Sequence, residues 1–64
     1  MNTETLEAAE RATRVALDVA VGNLAAARRA VPPFTPVADA YYDALDAARG
    51  AWHRAYDALS AASY

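Results

Sequence analysis

Apolar residues return along this chain at the three- and four-residue spacing of a helix, in two long blocks separated by a single break. The first block, about 3–30, shows two apolar stripes when it is projected at 100° per residue. One stripe holds Leu6, Thr13, Leu17, Ala20, Val21, Leu24 and Val31. The other, nearly opposite, holds Ala8, Ala12, Val15, Val19, Gly22, Ala26 and Ala30. A narrow charged strip remains between them: Glu7, Glu10, Arg11, Arg14, Asp18 and Arg29. Within it Glu7–Arg11, Glu10–Arg14 and Arg14–Asp18 are i,i+4 pairs of opposite sign, each worth about 0.2–0.5 kcal/mol on a helix surface. A helix that is apolar around most of its circumference is a buried helix, and one neighbour cannot cover both of its stripes.

The second block, about 36–62, has one apolar side. Tyr41, Leu45, Trp52, Tyr56 and Leu59 form a bulky flank, beside a strip of Ala40, Ala44, Ala51, Ala55, Ala58 and Ala62. In heptad terms Leu45, Trp52 and Leu59 take one seam position, and Tyr41, Ala48, Ala55 and Ala62 the other. The small side chains read as a close antiparallel contact. Asp39, Asp43, Asp46, Arg54 and Asp57 mark a solvated back.

The break is Val31-Pro32-Pro33-Phe34-Thr35-Pro36. Proline cannot continue a helix and pushes the preceding residue to extended geometry. Arg28 and Arg29 suit the negative end of the first helix, and Thr35-Pro36 is an N-cap and first-position pair for the second. Asn2 or Thr3 can cap the first helix. A turn this short makes the helices antiparallel neighbours. The expected fold is all-α: one two-helix hairpin over 1–64, with its turn at 31–36. Its second stripe predicts assembly into a dimeric four-helix bundle, with Val15, Val19, Gly22 and Ala26 at the oligomer interface, the alternative being a different protein as the second layer.

Size strengthens that expectation. A chain of 64 residues buries only about 60% of the surface its unfolded form exposes, so it is marginal alone. The absence of cysteine excludes disulfides and thiolate metal sites. A net charge of −2 argues against a direct nucleic-acid binder. The start, Met1-Asn2-Thr3-Glu4, lacks the basic-then-apolar layout of a signal peptide, and no stretch approaches the ~20 apolar residues that span a bilayer. The expected setting is cytoplasmic, with no membrane partner. Six arginines against no lysine, with 19 alanines, point to a GC-rich bacterium or its phage.

Candidate chemistry is sparse. His53 with Asp57 would need a third ligand to hold a metal, so no metal or other cofactor is expected. Asp39, Asp43 and Asp46 form an acidic patch with no sign of the cleft that acid–base work requires. With no nucleophile–base pair in the pattern, an enzyme is not expected. Tyr42, Arg49, His53 and Tyr56 line the border between the apolar and charged sides of the second helix. These residue types include those that dominate interface hot spots, which makes them a candidate partner surface. The Trp-x-Gly turn of small secreted helical hairpins is absent, because Trp52 is followed by His53-Arg54. A helix-turn-helix reader would need basic residues where Asp39, Asp43 and Asp46 stand. The expected function is therefore a non-enzymatic, self-associating protein-interaction module, a small regulator or an inhibitor of a host protein. The alternative is a regulator that meets a transcription or nucleic-acid complex through its acidic face.

Overall fold

The computed structural model describes residues 3–63. Helix α1 runs Thr3–Ala30 and helix α2 runs Pro36–Ser63, and the two pack antiparallel along their length. The molecule is a rod of 45 × 14 × 13 Å with a radius of gyration of 14.5 Å, against about 11 Å for a compact domain of this length. Nearly all of that length is helix rise, about 42 Å for 28 residues at 1.5 Å each.

The end of α1 and the start of α2 lie where local chemistry puts them. The Val31 amide still bonds the Ala27 carbonyl at 2.8 Å, and then Pro32 and Pro33 remove two donors. The Thr35 hydroxyl accepts from the Ala38 amide at 3.2 Å and donates to the Pro32 carbonyl at 2.9 Å, so one side chain caps α2 and braces the turn. Asp39 sits in the first turn of α2, where the helix dipole favours negative charge. The Asn2 cap lies outside the described residues. Phe34 reverses the chain at φ 62°, in the left-handed region that L side chains seldom adopt. Its phenyl ring gains nothing from packing in return, because the residue is 98% exposed.

The contact between the helices is a two-stranded seam. Along α1 the residues withdrawn from solvent are Leu6, Glu10, Thr13, Leu17, Ala20, Leu24 and Ala27, with Val31 just beyond. The steps alternate four and three, the heptad pattern of antiparallel helices. Along α2 Ala38, Tyr41, Leu45, Ala48, Trp52, Ala55 and Leu59 answer with the same rhythm. Thr13 is tolerated in the seam because its hydroxyl bonds its own helix, at the Ala9 and Glu10 carbonyls.

Two sequence assignments need correction. Glu10 belongs to the seam and not to the charged strip, whereas Val21, placed in the first stripe, is half exposed. A 3.5-residue period drifts around a straight helix, so a projection at 100° per residue misplaces positions far from its centre. Similarly, only part of the alanine strip of α2 faces α1. Ala51 and Ala55 are partly covered, while Ala40, Ala44, Ala58 and Ala62 stay exposed. Surplus apolar surface therefore lies on both helices. Only Leu6, Leu24 and Ala27 are buried among the described residues, so this core is thin.

Candidate functional site

The rod has two unlike flanks. On one, alanines from both helices border a shallow groove of about 380 Å³, lined by Ala16, Val19, Ala20 and Asn23 of α1 and Ala40, Tyr41, Ala44 and Ala48 of α2. It continues toward the turn past Ala26, Ala27, Ala30 and Val31. No charged side chain lines either stretch. Of the four residues predicted for the oligomer interface, Val19 and Ala26 line this groove. Val15 and Gly22 lie further round α1. Val15 is 59% exposed and Val19 56%, and a methyl group added at Gly22 would meet only open space. Alanine side chains hold backbones close, so a helix laid in this groove would pack tightly against both neighbours.

The other flank is polar and aromatic. Trp52 is its centre, with its ring 5.1 Å from that of His53 and 5.3 Å from that of Tyr56. The indole N–H donates to the Glu10 carboxylate at 2.9 Å, and that carboxylate also faces Arg14 at 3.7 Å. Glu10 was missed as a site residue. Its signal was its heptad place between Leu6 and Leu17, opposite the one indole that has to find an acceptor. Among the described residues it makes the single i,i+4 ion pair of the three anticipated along α1.

The predicted partner surface therefore divides. His53 and Tyr56 join Trp52, and Arg49 stands exposed on the same helix. Tyr42 lies toward the turn, where its hydroxyl accepts from Arg28 Nε and Nη2 at 3.3 and 3.2 Å. Beside that pair opens a cleft of about 350 Å³ walled by Leu24, Val31, Pro33, Phe34 and Tyr42, with Arg28 and Asp39 at its rim. Phe34 had no assigned role in the sequence, since nothing there shows that a phenylalanine after two prolines will be turned out into solvent. Of the acidic patch, Asp39 borders this cleft, and Asp43 and Asp46 are exposed along α2.

This arrangement offers surfaces for contact. Among the described residues no three His, Asp or Glu side chains come together as a metal-binding group. No helix among them is long and apolar enough to cross a membrane. No family model, curated protein or solved structure matches the chain.

Proposed function

We propose that this protein is a non-enzymatic interaction module that self-associates through its alanine-lined flank into a four-helix bundle and presents the Trp52 flank outward to a protein partner. The charge-free groove between α1 and α2 carries the reading. Unlined by charge and bordered by exposed Val19, it is the kind of surface that water leaves readily when a second helix arrives.

Area supports it as well. The chain exposes 4685 Å², about 700 Å² more than the roughly 3,950 Å² of a compact monomer of 6.8 kDa. A standard-size interface covers about 800 Å² on each partner, so one docked copy accounts for the excess. The outward flank keeps Tyr42, Arg49, His53 and Tyr56 available, and the rigid rod beneath them limits the ordering cost of binding.

Sedimentation at low micromolar concentration tests self-association. The wild-type chain is expected at twice its 6.8 kDa mass. Val19→Asp is expected at the single-chain mass with its helices retained by circular dichroism. A folded wild-type chain that sediments at single mass sinks the proposal.

A further inference from the structure

The cleft beside the turn has apolar walls in Leu24, Val31 and Pro33, completed by the aromatic residues Phe34 and Tyr42. Its volume of about 350 Å³ lies at the small end of ligand pockets, room for one ring and not for a helix. None of the residues that line the central alanine groove lines it, so occupancy of the cleft does not require self-association.

Phe34 is held here at a cost to the fold. Its backbone is strained at φ 62°, and with 98% of the residue exposed no packing within the chain offsets that strain. A molecule seated in the cleft gives the ring the neighbour it lacks.

Charge stands at the rim in both signs. Arg28, from α1, is fixed by a neutral group. The Tyr42 hydroxyl accepts from Nε at 3.3 Å and Nη2 at 3.2 Å, and the guanidinium carbon lies 5.9 Å from the centroid of the Tyr42 ring. This contact orients the fork without neutralising it. It leaves open the Nη1–Nη2 edge, which can grip a carboxylate with two hydrogen bonds. Asp39, from α2, lines the same cleft, yet no ion pair joins it to Arg28. A cation and an anion on facing helices, unpaired across an apolar hollow, match a ligand that carries both charges beside an apolar group. A simple carboxylic acid leaves Asp39 opposed, and a simple amine leaves Arg28 opposed.

We infer that this cleft binds a free aromatic α-amino acid, with its ring against Phe34 and Tyr42, its α-carboxylate on Arg28 and its α-ammonium on Asp39. A residue within a peptide chain does not match, because amides replace both charges.

Titration of the isotopically labelled chain with L-phenylalanine, followed in its amide NMR spectrum, tests this. A ligand of about twelve non-hydrogen atoms with an ordinary binding return per atom has a Kd on the order of 1 mM. Saturable shifts are expected at Leu24, Arg28, Phe34, Asp39 and Tyr42. Their absence well above that concentration overturns the proposal. Phenylacetate and phenethylamine, each lacking one charge, are expected to bind about three- to fivefold more weakly. N-acetyl-L-phenylalaninamide, lacking both, is expected to bind more weakly still. If it binds as tightly as L-phenylalanine, the cleft is an apolar hollow for a partner's side chain and the amino-acid assignment fails.

Two variants separate the charges. Arg28→Gln is expected to weaken L-phenylalanine about three- to fivefold and not to weaken phenethylamine, which has no carboxylate to lose. Asp39→Asn is expected to weaken L-phenylalanine likewise and to spare phenylacetate. Equal losses for all three ligands count against the assigned pairing.

Discussion

An indole N–H at a helix seam must find an acceptor, and Trp52 finds one in Glu10, 42 residues away along the chain. The carboxylate is 13% exposed by side chain, so water reaches it only in part, and losing the donor leaves it poorly satisfied. Trp52→Phe is expected to lower stability to urea by about 1–3 kcal/mol. Glu10→Gln keeps a carbonyl acceptor and is expected to cost under about 1 kcal/mol. The pair Trp52→Phe with Glu10→Leu removes both polar groups and is expected to recover most of the loss, since an apolar pair replaces a polar one without leaving an orphan. Urea melts of the wild type, Trp52→Phe, Glu10→Leu and the double variant, treated as a double-mutant cycle, check this. Simple additivity of the two sites would refute the coupling.

At the scale of elements, the break between the helices and the cap of α2 were legible in the sequence because they depend on chemistry within a few residues. Thr35 caps and Pro36 starts α2 where local rules place them. The seam register was legible only in outline. Glu10 and Ala27 enter it, and Val21 leaves it, because register follows the mutual winding of two helices and not the projection of one. Gly22 belongs to this scale. A methyl group there meets nothing in the single hairpin, so Gly22→Ala is expected to raise hairpin stability by about 0.5–1 kcal/mol through helix propensity. If a second helix packs on this face of α1, the same methyl group fills the space that the approaching helix needs. The expected pattern is higher helicity in circular dichroism at high dilution together with weaker association in sedimentation. Higher helicity with tighter association would place Gly22 outside the contact.

At the scale of the whole molecule, the hairpin buries three of its described residues and is marginal alone. If folding and assembly are linked, the midpoint of thermal unfolding depends on concentration. For two chains of this length the expected rise is roughly 5 °C for each tenfold increase in concentration, from an unfolding entropy of about 2.1 cal/mol/K per residue. Scanning calorimetry across a hundredfold range reads this directly. A midpoint independent of concentration would mean that the hairpin stands alone.

The sequence by itself determined what depends on near neighbours: two helices, the proline break between them, the Thr35 cap, and an apolar surface larger than one hairpin contact. Spacing and backbone chemistry decide those, and both can be read along the chain. The tertiary structure alone decided which apolar residues are covered. It set Glu10 against Trp52, turned Phe34 out at a positive φ, and left the alanines of both helices side by side as one charge-free groove. Those outcomes depend on how two helices rotate against each other, a choice settled by the summed fit of many small contacts that no single position records.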